Sequence, residues 1–282
     1  MENLLQKVVN GFKMHLDVND GGISRVLYTV GQREMAFMSI LRESISDGMV
    51  CVDLGSNIGY TTLPMLSAVG DSGYVYAIEP DPQNLNILKL NINENNFNDR
   101  CEIIQCAISD KDGEIDFWQS SQPNLSSVEK HDRSTEKITV PCFSLESFLE
   151  DRRYPNFIKM DVEGHEVKIF EGALDYFTKN EGNTNILVEV HPHLYGENND
   201  FEKILQEFFK IGFNAKYAVA TPIPQPNLFR AAGYSPVRTV HTDGFHRGIY
   251  KDIKNHHLTK FSCYEHWESG SRKIVRSFMI GR

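Results

Sequence analysis

No run of about 18 apolar residues occurs anywhere in this sequence, which leaves nothing long enough to span a bilayer as a helix. The first residues, MENLLQKVVNGFKMH, also lack the basic start and apolar stretch of a secretory signal, so a cytoplasmic protein is expected. Cysteine is scarce and unpatterned. Its five copies, Cys51, Cys101, Cys106, Cys142 and Cys263, are odd in number and never in a CxxC spacing, which argues against a disulfide framework or a zinc knuckle. Positive charge is short as well: 29 Lys+Arg face 38 Asp+Glu, a net charge of -9. The broad basic face that neutralises nucleic-acid phosphates is therefore missing. So are a GxGxxG loop, which a dinucleotide's pyrophosphate needs, and an Asn-Pro-Pro-Tyr/Phe motif for base N-methylation.

What is present is an ordinary globular mixture, 40% hydrophobic and 24% charged over 282 residues, with no repeat or low-complexity linker. One α/β domain is expected: residues 1–49 as an N-terminal cap, 50–220 as the core, 221–270 as an insertion or lid and 271–282 as a final strand. Short β-rich runs at Val50–Leu54, Tyr74–Glu79, Cys101–Cys106, Asn156–Asp161 and Asn185–Val190 alternate with helical patterns, the mark of a parallel sheet covered on both faces. After Pro82, Leu85, Leu88 and Ile92 share a helix face; after Gly164, Val167, Phe170 and Leu174 do; Phe201–Phe213 reads as a further helix. Glu114–Trp118 and Lys137–Phe143 form a hairpin around a polar loop too long for a tight turn.

The segment VCVDLGSNIGY carries the strongest chemical signal. Asp53, Gly55, Ser56, Asn57 and Gly59 follow a strand and open a helix, the position at which a parallel sheet presents backbone N–H groups to a ligand. Asp53 is placed to hold a ligand's ammonium group. Glu79, 26 residues on at the end of the next strand, suits both hydroxyls of a ribose; the bland alternative is a helix cap.

DLGSNIGY, IEPDPQNLNILKLN, CAISDKDGEIDF and FIKMDVEGHEVKIFEGA, taken in that order, resemble the FkbM family of S-adenosylmethionine-dependent methyltransferases over roughly Gly31 to Val219. The resemblance implies a Rossmann-like class I methyltransferase fold. This is a seven-stranded, mostly parallel sheet with helices on both faces and an antiparallel last strand, here with an N-terminal helical segment and a C-terminal insertion. It also implies O-methylation of a small molecule or sugar hydroxyl. Carried over, Asp53, Gly55, Asn57 and Gly59 line the donor's methionine end, Glu79 its ribose, and Ala107 and Ile108 its adenine. Tyr28, Arg33 and Glu34 fall where the segment before the sheet closes over the donor.

Methyl transfer to a hydroxyl requires alignment and removal of a proton. KMDVEGHE gathers Lys159, Asp161, Glu163, His165 and Glu166 at one strand end, and LVEVHPH places Glu189, His191 and His193 at the next. His191 is the expected general base, with Asp161 and Glu163 positioning acceptor or donor and Glu189 orienting an imidazole or binding substrate. Lys159 is expected to pair with a carboxylate. Asp161, Glu163, Glu189 and His191 also suit a divalent ion, a possibility not favoured over metal-free catalysis. The last 45 residues hold nine Lys/Arg against four Asp/Glu, so an anionic acceptor near Arg247, Lys251 and Lys254 stands beside a merely solvated basic face. Tyr217, Tyr234, Phe245 and Trp267 offer stacking surfaces for a sugar, or a small core. The tail histidines, His241, His246, His256, His257 and His266, lack metal spacing, and the rings of the adjacent pair are expected to point apart. A catalytically silent cofactor-binding or scaffold protein, and an RNA or protein methyltransferase, are the competing functions.

Overall fold

A computed structural model describes residues 4–120, 122, 125–130, 132–195, 201–221, 225–262 and 275–282; of His193, Gln225 and Pro226 only the backbone is described. Cys263, His266 and Trp267 lie outside the described residues.

The chain opens with a hairpin, β1 (Leu4–Val9) and β2 (Phe12–Asp17), where a helical cap was expected. Its two-residue turn has positive φ at both Asn10 (54) and Gly11 (89), the geometry that matches strand twist and that Asn-Gly tolerates at low cost. Helices α1 (Ile23–Thr29) and α2 (Met35–Ser44) follow. The core then alternates as expected: β3 (Val50–Leu54), α3 (Thr62–Ala68), β4 (Tyr74–Ile78), α4 (Pro82–Glu94) and β5 (Cys101–Ile104). Pro82 pre-sets the first turn of α4, and the Asp81 carboxylate accepts from the N–H groups of Gln83 (2.8 Å) and Asn84 (3.4 Å).

Next come β6 (Ala107–Ser109), β7 (Gly113–Ser120) and β8 (Ser134–Ser144), a separate three-stranded sheet in order β6-β8-β7 that contains the expected hairpin. The chain returns through α5 (Leu145–Leu149), β9 (Phe157–Met160), α6 (Glu166–Lys179), β10 (Asn185–Glu189), α7 (Phe201–Lys210) and β11 (Asn214–Ala220). It ends with α8 (Gln225–Ala231), β12 (Arg238–Thr242), β13 (Phe245–Lys251), α9 (Asn255–Ser262) and β14 (Val275–Gly281).

Among the described residues the main sheet has nine strands, in order β12-β13-β11-β14-β10-β9-β3-β4-β5. Seven were expected; the hairpin β12–β13 adds two on the outer side of β11, so residues 238–251 lengthen the sheet. β14 inserts antiparallel between β10 and β11, as the family resemblance implies. Both faces of β3 are buried, which is why VCVDL is apolar throughout apart from Asp53. On one face the rings of Phe170, Phe177, Phe208 and Phe213 pack edge to face, with Phe170 and Phe208 centroids 4.8 Å apart. On the other, α2 and the N-terminal hairpin cover the sheet. Buried Asn91 of α4 ties that hairpin to the loop after β3, donating to Ile58 O (2.8 Å) and accepting from His15 N (2.6 Å). Among the described residues no helix is long and apolar enough to cross a membrane.

Candidate active site

A cleft of about 910 Å³ runs along the C-terminal ends of β3, β4 and β9 and under the small sheet. Its floor is the turn after β3. Gly55 adopts φ +76, and a Cβ there would collide with the carbonyl oxygen of Asp161, so only glycine lets the two strand ends approach. Gly59 does not line the cleft; it packs toward α4, where a Cβ would meet Leu88 Cδ1 at 2.9 Å. Asn57, at φ 50, donates its N–H to Glu79 Oε2 (2.7 Å). Asp81 N donates to Glu79 Oε1 (2.9 Å). Glu79 is buried, lines the cleft, and its carboxyl is pushed up to about 7 by burial.

Asp53 departs from the expected role. Its carboxylate is fully buried and absent from the cleft wall. It accepts from Thr61 Oγ1 (2.9 Å) and Thr62 Oγ1 (2.7 Å) and pairs with Lys159 Nζ at 3.0 Å, so its charge is matched inside the fold. Lys159 in turn donates to Gly55 O (2.7 Å), so the expected lysine–carboxylate pair exists and braces the turn.

Ile78, Pro80, Cys106, Ala107, Ile108, Phe117 and Ile169 form an apolar pocket beside Glu79, with Ala107 and Ile108 where an adenine was expected. The described part of the long polar loop closes it: Ser126 and Val128 line the cleft, and Ser127 Oγ donates to Glu163 O (2.6 Å). His165 is buried, Nε2 2.8 Å from Ser109 Oγ and Nδ1 3.3 Å from Glu129 Oε1, so it fastens that loop to the wall.

At the other end Arg33, Glu34, Asp161 and Glu163 line the cleft; Tyr28 does not. Tyr60 clamps the backbone of Arg33, donating to its O (2.6 Å) and accepting from its N (2.9 Å). The tip of β12–β13 holds the start of α2, Thr242 Oγ1 accepting from Met35 N (2.9 Å). Behind this wall lies a dense ionic group. Arg33 Nε pairs with Glu34 Oε1 (2.6 Å), and Arg276 Nη2 pairs with both Glu34 Oε1 (3.0 Å) and Glu189 Oε1 (2.7 Å). The Glu34 carboxyl is held down at about 2, burial being outweighed by Arg33 and Arg276.

His191 is buried one side chain back from the cleft, outside its lining. Nδ1 lies 2.8 Å from Glu166 Oε1, and Nε2 faces Glu163 (3.4 Å), Glu189 (3.7 Å) and Asp161 (3.8 Å). The structure thus brings Asp161, Glu163, Glu189 and His191 together, with a carboxylate, rather than the imidazole, facing the cleft. Burial pushes the Glu163 carboxyl up to about 7 against the pull of His191. Glu166 takes the imidazole-orienting role expected of Glu189, which is instead committed to Arg276. Arg276 was missed; its signal was the antiparallel last strand, which brings Ser277 opposite Glu189.

Ligand atoms of Asp161, Glu163 and His191 lie within 4.8 Å of one another, as do those of Glu34, Asp161 and Glu189. The first set fits a divalent cation better, because Arg33 and Arg276 already neutralise Glu34 and Glu189 of the second; Asp161, common to both, has Oδ1 buried without a hydrogen bond. Tyr217, Tyr234 and His257 of the tail serve the fold: Lys251 sits over the Tyr217 ring (4.8 Å), and Tyr234 OH lies 2.7 Å from His257 Nδ1. The rings of His256 and His257 lie 4.2 Å apart, contrary to expectation, because His257 turns toward Tyr234 and Phe261 and stays beside its neighbour.

The methyltransferase FkbM domain model matches residues 53–215, more than half of the chain. The chain belongs to the FkbM methyltransferase family. It is an S-adenosylmethionine-dependent methyltransferase, as the four sequence motifs imply. The hexuronic acid methyltransferase AglP of Haloferax volcanii is 27% identical over 177 residues, 62% of this chain and 68% of that protein. Among solved structures, the FkbM methyltransferase of Methylobacillus flagellatus superposes with TM-score 0.44 at 14% identity, over 83% of this chain and 61% of that one. TYW2 of M. jannaschii in complex with AdoMet gives 0.44 at 17%, over 90% and 88%.

Proposed function

We propose that this methyltransferase acts on an oxygen of a sugar or similar small polyol, with Glu163 as the group that receives the acceptor's proton. One observation carries the reading: Asp161 and Glu163 line the same cleft as Glu79 and Asn57, so acceptor and donor pockets are continuous. S-adenosylmethionine, when bound, supplies an electrophilic methyl group on a sulfonium. Glu79 and the Asn57 turn hold its ribose, while Ala107, Ile108 and the apolar wall take its adenine.

A carboxyl that titrates near neutrality is matched to proton transfer at physiological pH. Glu163 gains that value from burial among carboxylates, and His191, steadied by Glu166, favours the ionised Glu163 that takes the proton. Asp161 positions the acceptor hydroxyl. If the reaction uses a divalent cation, Asp161, Glu163 and His191 would hold it, where it would make the hydroxyl more acidic. The hexuronic acid relative supports a saccharide acceptor.

The test is a panel of sugars, hexuronates and nucleosides with methyl-labelled donor, with and without chelator. Label should enter a saccharide, and Glu163→Gln should lower kcat about 100-fold or more while the donor Kd stays unchanged. Label entering only RNA or protein would overturn the reading.

A further inference from the structure

Among the described residues, the buried cations at the acceptor end are paired with carboxylates except Arg247. Arg33 and Arg276 are spent on Glu34 and Glu189. Arg247, only 6% exposed, makes no ion pair among the described residues, and its Nε is buried without a hydrogen bond. Burial, and then Arg276, push its guanidinium below the ordinary range, whereas Arg33 and Arg276 lie above it. An unpaired buried cation is costly, and proteins retain one where something binds it.

Register fixes where Arg247 stands. β13 runs antiparallel to β11 with Ile249 opposite Val219, so Arg247, two residues earlier, reaches past the last ladder pair to the C-terminal edge of the sheet. That edge carries Asp161, Glu189 and His191. β14, on the other side of β11, brings Arg276 to the same level, between the pairs Ala220–Val275 and Val219–Ser277. Arg247 shares a face with Ile249, which packs in the cluster containing α2, whose preceding residue Glu34 lines the cleft. Phe245, half exposed, shares that face too, its ring centroid 5.7 Å from the guanidinium carbon.

We propose that Arg247 receives an oxyanion carried by the acceptor, with Phe245 offering a ring face to the sugar, and that it makes the enzyme selective for anionic over neutral saccharides. The inference rests on the methyl-transfer reading of the cleft and names its acceptor class. A guanidinium fork matches the paired oxygens of a carboxylate or a phosphate ester.

The test titrates methyl β-D-glucuronoside, glucose 6-phosphate and methyl β-D-glucoside into the full chain loaded with S-adenosylhomocysteine, for the wild type, Arg247→Met and Arg247→Lys. One anionic sugar should bind about tenfold or more tighter than the neutral one, and which of the two does so distinguishes carboxylate from phosphate. Arg247→Met should remove that preference, a loss of roughly 10- to 100-fold, with Arg247→Lys intermediate. S-adenosylhomocysteine affinity should hold, and Tm should stay level or rise as the unpaired charge is deleted. Equal binding of all three sugars by the wild type, or of none, overturns the proposal. So does an Arg247→Met variant that loses S-adenosylhomocysteine or Tm without a selective loss of the anionic sugar. Selective binding without methyl transfer to any saccharide would sustain the anion site and sink the acceptor reading instead.

Discussion

Replacing Lys159 with methionine isolates the Asp53 carboxylate at the centre of the sheet. Lys159 is 2% exposed, Asp53 is fully buried, and they sit 3.0 Å apart. The two threonine hydroxyls remain as donors, but no cation does. Breaking one side of a buried pair costs roughly 3–5 kcal/mol. An independent bound agrees: Asp53 can escape by taking up a proton, which at pH 7 costs about 4 kcal/mol for a group with an ordinary value near 3.9. At about 2 °C per kcal/mol for a chain of this size, Tm should fall about 6–10 °C at pH 7. The variant's Asp53 has a raised folded value, so its deficit against the wild type must shrink as pH falls toward 4–5. Thermal unfolding across that range measures both effects. The double variant Asp53→Asn/Lys159→Met should recover most of the lost Tm and keep donor binding. A Tm within 2 °C of wild type for Lys159→Met would refute the buried pair. A folded double variant that no longer binds donor would return Asp53 to the ligand-holding role.

Glu79, raised to about 7, should bind donor better once ionised, so affinity rises with pH through about 7 and binding releases protons. Calorimetry in buffers of different ionisation enthalpy checks this, and Glu79→Gln should abolish the dependence. For stability the sign reverses: Glu79 and Glu163 keep their protons in the fold between about 4.5 and 7 while the unfolded chain loses them. Each therefore removes stability as pH rises through that window, roughly 3 kcal/mol apiece at most, and the glutamine variants should flatten the curve. Glu166→Gln frees the His191 ring and should lower kcat about 10- to 100-fold with a shifted pH profile and an unchanged donor Kd; an unaltered profile would remove His191 from the chemistry. Gly55→Ala, whose methyl would strike the Asp161 carbonyl, should lose donor binding in a chain that still unfolds cooperatively.

The parallel core was legible because its strands are short apolar runs with buried faces, and β3 falls at Val50–Leu54 as read. The N-terminal hairpin replaces the expected helical segment because Asn10-Gly11, between two alternating runs, is a strong local turn signal. The hairpin β12–β13 was harder, because proline and histidine break the period around it and its pairing with β11 is a tertiary fact. That Glu79, Ala107 and Ile108 line the cleft follows from motif position, since the turn and the neighbouring strands fix them locally. Asp53 carried the right motif and the wrong role: sequence places a carboxylate at the strand end, and only the register that brings Lys159 opposite it shows that the charge is already spent. The same limit hid Arg276 and exchanged the roles of Glu166 and Glu189, since ion-pair partners are chosen by neighbouring strands and helices.

A donor site in the cleft under the β3 turn is the central proposal. Titration calorimetry of the folded 282-residue chain with S-adenosylmethionine and S-adenosylhomocysteine tests it most directly. One molecule of each should bind per chain, with Glu79→Ala weakening both by about tenfold or more. A folded chain that binds neither, or that binds both equally well without Glu79, would contradict it.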